Sequence, residues 1–403
     1  MEKMKWIDNH VPKSDDRYLS LMSHENISNT REFHKSFPQY WVTPLANLKG
    51  MAEYLGIAGL FVKDESFRFN LNSFKALGGT FAIANYIAEK MGKDITEMTY
   101  DYLTSEKFRK EFGQATFITA TDGNHGRGVA WAANRLGQKC IVHMPRGSSH
   151  MRYDNIAREG ARVTIEDANY DECVRIAAKE AETIENSVVV QDTAWEGYTK
   201  IPNWIMQGYA TMALEASDQF REVAMNRPTH IFVQAGVGSM ASAVVAYFAN
   251  VYKEDPPTFV VMEPTEAACM FKSATIADGE PHSCTGDMHS IMAGLCCGEP
   301  NLVSWDILKN HASAFISCPE WVTAKGMRML ATPVKGDPVV ISGESGAVGM
   351  GVVASILKDE SYKDLREHIG LDRFSQVLLF STEGNTDRDQ FRRIVWDGEY
   401  PSI

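Results

Sequence analysis

Lys75 is the first residue whose surroundings suggest chemistry. It sits in the run Asn70-Leu71-Asn72-Ser73-Phe74-Lys75-Ala76-Leu77-Gly78-Gly79. Ser73 is placed to cap the helix that follows, which puts Lys75 in the first turn. A cation there opposes the helix dipole, and the same field lowers the amine's pKa and sharpens it as a nucleophile toward a carbonyl. A solvated surface lysine is the alternative that this stretch alone leaves open.

Five more clusters fall where a strand gives way to a helix or ends. Thr121-Asp122-Gly123-Asn124-His125-Gly126-Arg127-Gly128 presents backbone N–H groups at a helix start, which suits a carboxylate or phosphate. Asp122 is out of place there unless a cation binds nearby, although a capped tight turn explains it equally well. Gly236-Val237-Gly238-Ser239-Met240-Ala241 matches G-x-G-x-x-A, and Glu263 ends the next strand. That imitates a dinucleotide fingerprint; a lone phosphate, or close helix–strand packing, fits the same loop. Ser342-Gly343-Glu344-Ser345-Gly346-Ala347 starts a helix, and Ser381-Thr382-Glu383-Gly384-Asn385 closes a strand. The fifth segment, Gln191-Asp192-Thr193-Ala194-Trp195-Glu196-Gly197-Tyr198, crowds acids and aromatics; a capped helix with a buried Trp is its plainer reading.

The elements that must carry these loops alternate along the chain. Short β-branched runs near residues 60–63, 115–119, 139–143, 162–165, 188–190, 230–233, 258–262 and 377–380 are separated by helical stretches. This pattern predicts parallel sheets covered on both faces, with ligands at the carboxyl ends of strands. The polar stretch 92–113 reads as a surface elaboration, and the first fifty residues as a wrapping on the outside. Residues 231–252 carry no formal charge and are long enough to span a bilayer, but two glycines break them into strand, turn and helix.

At 403 residues, with 44% hydrophobic and 23% charged, the chain is an ordinary globular one, and its length suggests two domains. A net charge of −12 and the lack of basic runs argue against nucleic acid. Seven cysteines without Cys-x-x-Cys spacing predict reduced thiols, a cytoplasmic protein and no metal site.

Taken together, the segments resemble the pyridoxal-phosphate (PLP) enzymes of the tryptophan-synthase-β type, fold type II, over about residues 40 to 396. Ser73-Phe74-Lys75, Gly123-Asn124-His125, the glycine loop at 236–240 and Thr382 follow the family's order. The resemblance implies an α/β chain of two doubly wound, mainly parallel-sheet domains, a large one at 1–84 and 191–403 and a smaller inserted one at 85–190. It implies that Lys75 carries the cofactor, with Asn124, Gly236, Val237, Gly238, Ser239, Met240, Glu344 and Thr382 also binding it. Thr121, Gly123, Asn124 and His125 would take a substrate carboxylate.

Within that family, the stretches 121–133, 191–202 and 341–349 look like signatures of the diaminopropionate ammonia-lyases. Serine and threonine dehydratases usually have Ser or Thr where this chain has Asp122. A carboxylate attracts a second, cationic amine and does nothing comparable for a hydroxyl. Lys75, Asp122 and Asp192 are the expected catalytic residues, with Lys75 a base on one face and, as the resemblance suggests, Asp122 on the other. The expected reaction is α,β-elimination from D- or L-2,3-diaminopropionate to pyruvate and two ammonia. The resemblance also implies a homodimer, with no nucleic-acid or membrane partner. A serine/threonine dehydratase is the alternative on the same fold, and a nucleotide-binding dehydrogenase the alternative from another class.

Overall fold

The structure is a computed structural model that describes residues 2–121, 123–223 and 227–402. Asp122 lies outside the described residues. The strands are β1 (Lys5–Asp8), β2 (Leu45–Asn47), β3 (Gly59–Asp64), β4 (Thr116–Ala120), β5 (Lys139–Met144), β6 (Arg162–Ile165), β7 (Ser187–Val189), β8 (His230–Gln234), β9 (Thr258–Pro264), β10 (Ala312–Cys318) and β11 (Gln376–Ser381).

They form two sheets, ordered β1-β10-β9-β8-β11-β3-β2 and β6-β5-β4-β7. The smaller sheet is all parallel. The larger is parallel except at its edges, where β1 and β2 run antiparallel. Strands β3, β4 and β8 are buried along their whole length. That is why they read as unbroken apolar runs rather than alternating ones. The parallel register of β3 with β11, Leu60 opposite Val377 through Asp64 opposite Ser381, brings two strand ends together. The loop leading to Lys75 and the segment Thr382–Gly384 are thus neighbours.

Two expectations about the Lys75 segment need correction. Lys75 is the boundary residue of the helix Ala76–Met91 and not inside its first turn. Ser73 does not cap that helix; it bridges to Glu383, and its Oγ accepts a hydrogen bond from Lys75 N at 3.4 Å. The chain reaches Lys75 through three left-handed residues, Phe69, Asn70 and Asn72, at φ of 49°, 60° and 62°. No helix can start until these have turned the backbone.

The first fifty residues do more than wrap the outside. β1 completes the edge of the large sheet, and Ile27, Phe33 and Phe37 are buried in the core. The stretch 92–113 is likewise anchored, since Met98, Leu103 and Phe108 are fully buried amid its charges. Residues 231–252 divide into β8 and the helix Ser239–Val251, as expected. Among the described residues no helix is long and apolar enough to cross a membrane.

Candidate active site

A cavity of about 660 Å³, its mouth included, opens where loops from the two sheets meet. Lys75, Thr121, Asn124, His125, Asp192, the run Gly236–Met240 and Thr382 all line it.

Lys75 Nζ lies 2.5 Å from Asp192 Oδ2. Tyr209, on the helix Lys200–Glu222, donates its hydroxyl to the same oxygen at 3.2 Å. Its ring lies 5.5 Å from Lys75 Nζ, and that of Phe74 5.2 Å. Burial alone would raise Asp192, but the charges of His125 and Lys75 and hydrogen bonds from Lys75 and Tyr209 hold it below the usual carboxylate range.

His125 Nε2 donates to the Val190 carbonyl at 2.9 Å, because a carbonyl can only accept. Its Nδ1 is buried without a hydrogen-bond partner among the described residues, 3.7 Å from Asp192 Oδ2. Burial lowers the pKa of the ring.

The glycine loop shapes a cradle at the start of the helix Ser239–Val251. No side chain caps that helix, so its first N–H groups remain for an anion. Gly238 has φ +99°, and a Cβ there would lie 2.5 Å from Met270 Cε. A Cβ at Gly236 would come within 3.1 Å of Leu295 Cα on the opposite wall. Ser239 Oγ donates to the Asp192 backbone carbonyl and accepts from Asn301 Nδ2 at 2.9 Å, tying the cradle to the Lys75 pair. Thr382 Oγ1 accepts from Gln234 Nε2 at 3.0 Å, which leaves its hydroxyl proton to donate. An amine, an anion cradle and an opposed hydroxyl in one cavity are the donor set that PLP needs, and these residues fit it.

Two expected site residues stand apart. Gly123 does not line the cavity; its N–H is taken by Thr121 Oγ1 at 2.9 Å within its own loop. Glu344 is buried behind the lining, where burial and the neighbouring Glu383 raise its carboxyl to about 7. Ser345 and Glu383 reach the cavity instead. Glu263, the acid of the dinucleotide-like pattern, caps the helix Cys269–Ile276 by accepting from Met270 N at 2.8 Å and Phe271 N at 2.7 Å. Both its oxygens are occupied, so it does not serve a ribose.

Sequence reasoning missed Tyr209, Gln234 and Glu383 as site residues. Glu383 lies inside a segment already singled out, and Gln234 begins the one that holds the glycine loop, so both could have been found from their strand-end positions. Tyr209 lies mid-helix and carries no such signal.

Residues 37–365 match the family described as "Pyridoxal-phosphate dependent enzyme". The chain is 48% identical over 381 residues to the diaminopropionate ammonia-lyase of Salmonella typhimurium, covering 94% of each. It is 46% identical over 380 residues to the Escherichia coli K12 protein of the same name, again covering 94% of each. The crystal structure of the holo diaminopropionate ammonia-lyase from Escherichia coli superposes with a TM-score of 0.91 at 44% identity, covering 99% of this chain and 98% of that one. Another from Escherichia coli, in complex with an aminoacrylate-PLP azomethine reaction intermediate, gives 0.89 at 43% over the same shares. With cavity, cradle and lysine in the family's order and relatives this similar along nearly the whole length, the chain belongs to the pyridoxal-phosphate-dependent enzymes and, among them, to the diaminopropionate ammonia-lyases.

Proposed function

We propose that the chain converts 2,3-diaminopropionate (the D isomer, the L isomer or both) and water to pyruvate and two ammonia. The observation that carries this is the Lys75–Asp192 pair facing an anion cradle across one cavity. When bound there, PLP supplies an electron-withdrawing ring that makes the substrate's α-proton acidic.

The chain's own residues supply the rest. Lys75 holds the cofactor through Nζ, and the same amine takes the α-proton on its side of the cavity. Asp192 stabilises the ammonium that results. The N–H groups at 236–240 hold the phosphate, Thr382 donates to the ring nitrogen, and Asn124 faces the phenolic oxygen. The Thr121 hydroxyl, whose backbone N–H is held by the His143 carbonyl, and the backbone N–H groups of Asn124 and His125 take the substrate carboxylate. Asp122, assigned from sequence alone, attracts the second ammonium and serves the face opposite Lys75. The family likeness supports a homodimer working in the cytoplasm.

The test is pyruvate release by the PLP-loaded protein from D- and L-2,3-diaminopropionate and L-serine, with 2-oxobutyrate release from L-threonine. Fast turnover of either diamino isomer with slow hydroxy acids supports the proposal. The reverse pattern assigns the chain to the dehydratases.

A further inference from the structure

Glu383 was not among the expected site residues, yet it is a buried carboxylate that joins the two halves of the cavity. It follows β11 of the large sheet and is 2% exposed. Its Oε1 accepts from Ser345 N at 3.0 Å, at the start of the helix Glu344–Lys358. Its Oε2 accepts from Asn124 Nδ2, at the first residue of the helix Asn124–Arg135 that follows β4 of the small sheet. Its backbone carbonyl accepts from Gly343 N at 2.9 Å, and Ser73, two residues before Lys75, bridges to it. One residue therefore touches the Lys75 loop, the Asn124 loop and the Ser345 helix.

We propose that Glu383 is the positioning residue for Asn124, fixing which end of the Asn124 amide faces the cavity and closing the small sheet's loop onto the large one. A carboxylate accepts and an amide nitrogen donates, so Glu383 decides the amide's orientation, which asparagine's own symmetrical shape does not. With one N–H committed to Glu383, Asn124 keeps one N–H and its carbonyl for the cavity. Glu344, beside it, is raised to about 7 by burial and by Glu383, so near neutrality the pair need not carry two full charges in the same buried space. The proposal rests on the reading of Asn124 as a cofactor ligand.

The test is a cycle of four proteins: the unchanged chain, Glu383→Gln, Asn124→Ala and the double variant. PLP affinity is read from tryptophan-fluorescence quenching of the apo proteins, and kcat is measured separately on the loaded ones. Glutamine presents an amide nitrogen to one of the two donors, so one contact is lost. Glu383→Gln alone is expected to weaken PLP binding about tenfold, and by less than about twofold when Asn124 is already Ala. Equal weakening in both backgrounds, or none in either, overturns the proposal. Unchanged affinity in Asn124→Ala overturns the cofactor-ligand reading itself, which is a different result. Should Glu383→Gln fail to fold, Glu383→Asp keeps the charge and shortens the reach, and the same non-additivity decides.

Discussion

Lys75 Nζ and Asp192 Oδ2 are 2.5 Å apart although 117 positions separate them in the chain. The pair is possible because Lys75 enters from β3 of one sheet and Asp192 from the end of β7 in the other. Asp192→Asn keeps the shape and removes the charge, and is expected to lower kcat/KM by about 100-fold or more. Because Asp192 is held below its ordinary 3.8, the stabilisation from its ionised form is complete above about pH 4 and is lost as pH falls toward the depressed value. Steady-state kinetics and acid denaturation of the two proteins check both statements.

Gly238→Ala tests the cradle. The added methyl meets Met270 Cε at 2.5 Å and Ser304 Cβ at 3.0 Å, and φ +99° is strained for alanine. A loss of about 2 kcal/mol or more in stability is expected, with PLP affinity down about tenfold. Denaturant titration and PLP titration should move together; unchanged affinity would take the phosphate away from this loop.

Arg68 sits in a fully buried ion cluster. It reaches Glu215 Oε2 at 2.7 Å and Glu65 Oε2 at 2.8 Å, while Lys63 Nζ reaches Glu215 Oε2 at 2.8 Å. Arg68 also stands immediately before the left-handed residues that lead to Lys75. Arg68→Met leaves two carboxylates with one cation and is expected to destabilise the chain by about 3–5 kcal/mol. Urea unfolding measures it.

His34 ties three helices together, bonding Thr211 Oγ1 and the Leu77 carbonyl at 2.9 Å each. Burial lowers its pKa from 6.5 to about 3. The unfolded chain then binds a proton that the folded chain refuses, so stability is full above pH 6.5 and falls by about 1.4 kcal/mol per unit below it. Between pH 6.5 and 5 the unchanged chain should lose about 2 kcal/mol more than His34→Gln in urea titrations. Equal losses would show that His34 takes up its proton while folded.

Asp122→Ser puts the dehydratase-type residue into the loop. The ratio of kcat/KM for diaminopropionate over L-serine is expected to fall by about 100-fold. A ratio that stays high would move the selection to another residue.

The main-chain alternation was legible because fully buried parallel strands leave unbroken β-branched runs. β1, β2 and β10 were not singled out: the first two are short antiparallel edges, and the partner of β1 lies far along the chain. Lys75, Asn124, Asp192, Thr382 and the glycine loop could be picked out because each stands at a strand end or helix start. Glu344 was drawn to the cavity by its motif, but helix geometry puts Ser345 there instead. Tyr209 could not be found, because its role comes from how close two helices pass at Gly78 and Gly208.

The pairing of β3 with β11 has a consequence for how the protein comes into being. Lys75 is made early and Thr382 late, with most of the chain between them, and the cavity does not exist until both strands lie side by side. A chain that lacks β11 has no wall carrying Thr382 beside the Lys75 loop, and so no closed cavity to hold the cofactor. Chains cut short by a late stop codon would carry an intact lysine, glycine loop and small sheet, yet be colourless.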